Sequence, residues 1–408
     1  MTPSVPRIPG RRFLHSPGPT HVPDEVFDAM HRQPMDLGDP RVAATIDACE
    51  RGLRRLVGSL DAAIVCYAAN GHGAWEAVVQ NLLAPDAVAL VPGTGHFSES
   101  WALQCEALGR SVQRTPWTEG LPVDADAVEQ ALRQDPQRRI AVVLMVHTDT
   151  ASGVTSDVDA VRAAIDAAGH PALLVVDAVA SLAAAPLAMN AQRIDAVVGA
   201  SQKGLMLPPG LAFVAVGPAA MALAARNPTP RFYWDWTRRA GALPYQKFCG
   251  TPPLTLLAGL EAALGLLFAE GLDAVQARHR LLAGAVQAAV TAWSEGGALD
   301  FVARVPASRS VAVTAIRMTG DRAVDPDAIR TLARERFQVA IAGGLGPFAG
   351  RVFRIGHLGD LSVPMVLGAL GGVQAALAAL AVPYGRDGLA AAADFIARAA
   401  SGTSAGPR

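Results

Sequence analysis

The sequence predicts an α/β protein: a largely parallel, doubly wound sheet followed by a smaller α+β unit. Two observations carry this expectation. Short apolar runs rich in Val, Ile and Leu alternate with amphipathic stretches of helical length, the rhythm of βα units around a sheet covered on both faces. The composition agrees: 408 residues, 51% hydrophobic and 17% charged, suffice for a sizeable core and about two domains.

After a Pro/Gly-rich start (Pro17-Gly18-Pro19, Pro23), strands are expected at 62–67, 87–91, 140–146, 172–176, 196–198 and 211–216. Helices are expected between them at 74–83, 99–108, 125–133 and 158–168, the last with Asp157 placed to cap it. From about Arg231 the texture changes. An aromatic patch, Phe232-Tyr233-Trp234-Asp235-Trp236, and a turn-rich Gly250-Thr251-Pro252-Pro253 lead into Ala/Leu helices near 255–268 and 273–294. A strand at 311–316, a helix at 326–336, a strand at 352–355 and a helix at 364–380 complete the second unit. The expected division is therefore a lead-in of residues 1–22, a large domain of 23–270, a small domain of 271–400 and a disordered Gly/Ser/Pro-rich tail of 401–408.

Charge excludes several classes of partner. Thirty-five basic residues nearly cancel thirty-six acidic ones and form no run, so neither nucleic acid nor an anionic membrane is an expected partner. Small molecules are. No apolar segment of export type follows Arg7, Arg11 and Arg12, and Cys49, Cys66, Cys105 and Cys249 form neither a CxxC pair nor a zinc spacing. A cytoplasmic protein with reduced thiols and no metal is expected. The stretch 196–225 holds one charge, but Pro208, Pro209, Gly210 and Pro218 break it into pieces too short to span a bilayer.

That one charge is the first candidate for chemistry. Only two lysines occur in the whole chain, Lys203 and Lys247, so arginine supplies the remaining positive charge. Lys203 stands in apolar surroundings just after a predicted core strand. Burial there depresses an amine's pKa and leaves it neutral enough to attack a carbonyl; the plainer alternative is a lysine whose head reaches water. Asp177 ends the run Pro171-Ala-Leu-Leu-Val-Val, at the strand end where open α/β sheets bind ligands. It could hold the ring nitrogen of pyridoxal phosphate protonated, or cap the next helix. Asn70-Gly71-His72-Gly73-Ala74-Trp75-Glu76 lies between a strand and a helix, where glycines let backbone N–H groups approach an anion. Glu76 stands where a dinucleotide fingerprint needs its last glycine, so a mononucleotide-sized phosphate is the better match.

Anion cradle, acid and lysine after successive strands form one constellation, and with it the chain resembles the class V, fold type I pyridoxal-phosphate aminotransferases, on their glyoxylate-using side. The resemblance covers Gly18-Pro-Thr, Gly71-His-Gly-Ala-Trp-Glu-Ala, His147-Thr-Asp-Thr-Ala-Ser-Gly-Val, Asp177-Ala-Val-Ala-Ser-Leu, Ser201-Gln-Lys-Gly-Leu-Met-Leu-Pro-Pro-Gly, Tyr233-Trp-Asp-Trp and Phe353-Arg-Ile-Gly-His-Leu-Gly. It implies a mostly parallel seven-stranded sheet in the large domain and pyridoxal 5'-phosphate as cofactor. Lys203 would anchor the cofactor aldehyde and then serve as base and acid of the 1,3-proton shift. Asp177 would pair with the pyridine nitrogen, Val179 pack under the ring and Phe97 stack over it. Asn70, Gly71, His72 and Gln202 would surround the phosphate, with Thr251 reaching in from a neighbouring subunit of a homodimer, which could pair further into a tetramer. Thr150 would bond near the phenolic oxygen, and Arg354 would clamp the substrate carboxylate.

The activity implied is transfer of an amino group from a small L-amino acid, L-serine first, to glyoxylate, giving hydroxypyruvate and glycine by a ping-pong scheme. Alanine–glyoxylate or serine–pyruvate exchange, or another amine donor, are the alternatives. Sulfur-removing enzymes share the fold but need a late mobile cysteine, and none follows Cys249. Relatives commonly carry Asp-His-Arg where this chain has Asp36-Leu37-Gly38-Asp39, so the resemblance leaves the substrate open. The aromatic patch at 232–236 could shape the substrate pocket or seal an interface.

Overall fold

A computed structural model describes residues 9–10, 12–320 and 324–401. The expected disorder of the tail beyond Ser401 falls on residues 402–408, outside the described residues.

Seven strands form the large sheet, in the order Ala63–Tyr67, Ala212–Val216, Ala196–Ala200, Leu173–Asp177, Ile140–Val146, Val88–Val91, Ser111–Arg114. Ala212–Val216 runs antiparallel to both neighbours; every other pairing is parallel. The run Ile140–Val146 is apolar throughout because both faces are covered. Val143 and Met145 enter the core cluster that holds Leu53, Ile165 and Leu260, while Val142, Leu144 and Val146 enter the one that holds Val78 and Trp101. Helices Pro40–Leu56, Ala125–Arg133, Val158–Ala167 and Leu254–Glu270 cover the first face, and Gly71–Leu82, His96–Ala107 and Pro218–Arg226 the second.

The smaller sheet has five strands in the order Phe13–His15, Val339–Gly343, Val352–Gly356, Val313–Met318, Leu299–Phe301. It packs with helices Leu272–Ser294, Pro326–Arg336, Val363–Ala379 and Gly388–Ala400 around Trp293, Ile316, Phe353 and Leu370. The lead-in is therefore more than a leader. Phe13–His15 pairs in parallel with Val339–Ile341, so the lead-in supplies a strand of the small sheet before the chain crosses to the large one. Leu254–Glu270 and Leu272–Ser294 meet at Gly271 with a bend of 84°, carrying the chain from one sheet to the other. Among the described residues no single helix is long and apolar enough to cross a membrane.

Candidate active site

Because the parallel strands end together, the segments that follow them converge at one edge of the large sheet. Asn70 and His72 follow Ala63–Tyr67; Phe97, in the first turn of His96–Ala107, follows Val88–Val91; Thr148 and Thr150 follow Ile140–Val146. Asp177 ends its strand with Val179 two residues on, and Gln202 and Lys203 follow Ala196–Ala200. With Gly71, Trp75 and Ala180 these residues line a cavity of about 150 Å³. Nine of the eleven residues singled out in the sequence thus meet in one place.

The other two stand elsewhere. Thr251 is exposed and outside the cavity, and the homodimer reading assigns it to a neighbour's site. Arg354, on the small-sheet strand Val352–Gly356, is 5% exposed and sits behind Thr150: Nη1 donates to the Thr150 carbonyl at 2.8 Å and Nε to Gly343 O at 2.6 Å. The Asp36–Asp39 run does not line the cavity. There Asp36 accepts from Gly38 N at 2.8 Å and Asp39 caps Pro40–Leu56 by accepting from Arg41 N at 2.9 Å.

One wall is the start of helix Gly71–Leu82, where unsatisfied N–H groups and the helix dipole favour an anion. Asn70 caps it by accepting from Gly73 N at 3.3 Å. A β-carbon at Gly71 would come within 3.2 Å of Val179 Cγ2, a contact that Val179 would have to yield to accommodate. The His72 ring packs on Trp75 at 4.5 Å, and Trp75 stacks on Trp101 at 5.0 Å and 11°. Phe97 meets the Trp75 ring edge-on at 6.4 Å. Trp75, Thr148 and Ala180 were not singled out from sequence; Trp75 had a signal, one helical turn after His72 on the same face.

Burial sets the electrostatics. It raises the Asp177 carboxyl to about 7, against the Val179 N–H, which donates to it at 2.7 Å, and the Lys203 charge. It lowers the Lys203 amine to about 8, Arg354 adding to the fall and Asp177 opposing it. His72 is lowered by burial and then by His96. Acid and amine are each poised near neutrality, the state that proton transfer needs.

A strap from the lead-in lies over the lysine. Lys203 Nζ donates to Pro17 O at 2.6 Å, Thr20 N to Gln202 O at 3.2 Å, and Thr20 Oγ1 to Lys203 O at 3.0 Å. Gly18, at φ +138°, is pressed so closely on the lysine that a β-carbon there would overlap Nζ. The Gly18-Pro19-Thr20 motif is thus a wall of the lysine's seat.

The polar groups of the cavity are incompletely complemented by the described residues. Gln202 Oε1 is buried without a hydrogen-bond partner among the described residues, and the buried Trp75 indole N–H points toward Asp177 and helps to lower its carboxyl. Among the described residues Asp177 forms no salt bridge, and the Lys203 charge only partly offsets its burial. A phosphorylated aldehyde on a basic aromatic ring answers each need: an anion for the helix start, a ring nitrogen for Asp177 and an aldehyde for Lys203. Residues 12–347 match the family Aminotransferase class-V.

The chain is a class V aminotransferase. Pyridoxal 5'-phosphate is its cofactor. The aminotransferase is 40% identical over 378 residues to serine–glyoxylate aminotransferase of Methylorubrum extorquens, covering 91% of this chain and 92% of that one. It is 38% identical over 369 residues to L-aspartate–glyoxylate aminotransferase of Paracoccus denitrificans, covering 90% and 91%. Its fold matches the crystal structure of pyridoxamine–pyruvate aminotransferase from Mesorhizobium loti with a TM-score of 0.86 at 27% identity, covering 97% and 100%. The fold class and the aminotransferase activity expected from the motifs are those found.

Proposed function

We propose that this aminotransferase takes the amino group of L-serine and gives it to glyoxylate, releasing hydroxypyruvate and then glycine. The 40% identity over 91% of the chain to a serine–glyoxylate aminotransferase carries the reading. The aspartate-using relative shares the acceptor, so glyoxylate has support from both. The cavity supports the smaller donor: among the described residues that line it none is an arginine, so a second carboxylate on the donor would meet no guanidinium in the cavity wall. L-Aspartate is the second reading, favoured by the 38% identity alone.

Bound pyridoxal phosphate supplies the aldehyde that accepts the amino group and a ring that withdraws electrons from the donor's Cα. The residues that would hold it are Gly71, His72 and Gln202 at the phosphate, Asp177 at the ring nitrogen, Val179 and Phe97 at the ring faces, and Thr150 near the phenolic oxygen. Lys203 Nζ removes the proton from Cα; its depressed pKa supplies the neutral amine this requires. The buried Asp177 would share a proton with the ring nitrogen, and the Pro17–Thr20 strap keeps water from one side of the lysine. Arg354 serves the α-carboxylate with the N–H groups not spent on Gly343 and Thr150.

The working unit in this reading is a cytoplasmic homodimer to which Thr251 contributes across the interface. The exposed Phe232 (63%), Leu243 (51%) and Tyr245 (51%) lie in the segment leading to Thr251 and support an apolar contact there. Kinetics over a donor panel with glyoxylate test the substrate: kcat/KM for L-serine at least tenfold above L-aspartate and L-alanine is expected, and a higher value for L-aspartate sinks the serine reading. Light scattering on the eluting protein tests the dimer.

A further inference from the structure

Two walls of the cavity and the arginine behind it share one buried acid that the mechanism above does not use. Asp149 is fully buried at the start of a tight hairpin in which Thr148–Asp149 pairs with Val154–Thr155. Its Oδ2 accepts from the Phe97 N–H at 2.8 Å, across from another element. Its Oδ1 accepts from Ala151 N at 2.8 Å and Ser152 N at 3.2 Å, which shapes the turn that carries Thr150. The Thr150 carbonyl in turn receives Arg354 Nη1 at 2.8 Å.

Both oxygens act as acceptors toward three N–H donors, the pattern of an ionised carboxylate. Burial raises the Asp149 carboxyl and the three N–H donors oppose that rise; its charged form favours the charge of Arg354, whose hydrogen-bond partners among the described residues are carbonyls. We propose that Asp149 is a positioning residue of the active site: one carboxylate fixes Phe97, Thr150 and Arg354 relative to one another and compensates the arginine's charge. Phe97 lies in the first turn of a helix, Thr150 in a hairpin turn and Arg354 on a strand of the small sheet, so no local structure would hold them in register. Removing the charge leaves Arg354 uncompensated and turns a donor toward the Phe97 N–H.

The substrate part of this inference rests on Arg354 serving the carboxylate; the cofactor part does not. The test is a cycle of Asp149→Asn, Arg354→Gln and the double variant in the full-length enzyme. The dissociation constant of pyridoxal phosphate, followed by tryptophan fluorescence beside Trp75, is expected to rise at least tenfold in D149N. The donor KM is expected to rise at least tenfold while kcat falls less. The loss of melting temperature from D149N is expected to be at least halved when Arg354 is already Gln, because the unpaired charge is gone. Cofactor affinity and KM within twofold of the parent, or additive melting losses, overturn the proposal. An unchanged KM in R354Q alone sinks the role of Arg354 and leaves the cofactor arm to decide on Phe97. If D149N does not fold, hydrogen exchange in the parent decides: amides of Phe97, Ala151 and Ser152 protected like those of Ile140–Val146 support it, and rapid exchange at Phe97 overturns it.

Discussion

Lys203 illustrates how one residue's surroundings become chemistry. Its amine is held by a carbonyl, hemmed by Gly18 and lowered to about 8 by burial. Lowering means that the neutral form gains as pH rises through 8, well below the range of an ordinary lysine at about 10.4. Capture of pyridoxal phosphate by the cofactor-free enzyme should therefore speed up between pH 7 and 9 and level off above it. Stopped-flow absorbance checks this; a rate still climbing beyond pH 10 would mean the amine is not depressed. The sequence showed this residue well, because a lysine that is the one charge in thirty residues has few roles. Arg354 was less legible. An arginine within an apolar strand does not reveal that two of its nitrogens are already bonded to carbonyls. Asp149 was invisible, since its partner Phe97 lies 52 positions away.

Elements with a local cause were read from the sequence closely; those with a distant one were not. Ala125–Arg133 and Pro326–Arg336 begin after capping aspartates and carry amphipathic faces, and both lie where expected. Ser111–Arg114 went unseen because it is an edge strand with no fully buried residue, so it lacks an apolar run. Phe13–His15 has three residues and pairs with a strand more than three hundred positions on, for which no local pattern exists. The cap at Asp157 can be tested directly. It accepts from Asp159 N at 2.8 Å and Ala160 N at 3.1 Å, so Asp157→Ala should cost about 1 kcal/mol. Urea unfolding checks the figure; no change would show that water or a neighbour satisfies those amides equally well.

At the scale of the whole molecule, buried histidines tie the N-terminal strand, the connecting helix and the small sheet together. His15 bonds to Gly356 O at 2.9 Å, His279 accepts from Gly359 N at 3.1 Å, and His357 bonds to Val311 O at 2.8 Å and Thr314 Oγ1 at 3.0 Å. Burial lowers His15, His147 and His279 to about 4 and His357 to about 3, and lowers His72 and His170 as well. Between pH 6.5 and about 4 the unfolded chain therefore binds protons that the folded one does not, and stability falls as pH falls. Asp149, Asp177 and Asp195, raised by burial, work in the opposite sense over part of that range and are outnumbered. Urea midpoints of the cofactor-saturated enzyme should drop from pH 7.5 to 5.5, and His357→Gln should flatten the slope. A midpoint that rises with acid would show that the carboxyls dominate.

The convergence of Lys203, Asp177 and the Gly71 helix start on one cavity is most directly tested by an absorbance spectrum of the purified enzyme, beside Lys203→Ala. With cofactor, the parent should show a visible band that fades on adding L-serine and returns with glyoxylate, while the variant shows no such cycle. A parent that binds no chromophore, or a variant that cycles as the parent does, would contradict the assignment of this cavity as the site of amino transfer.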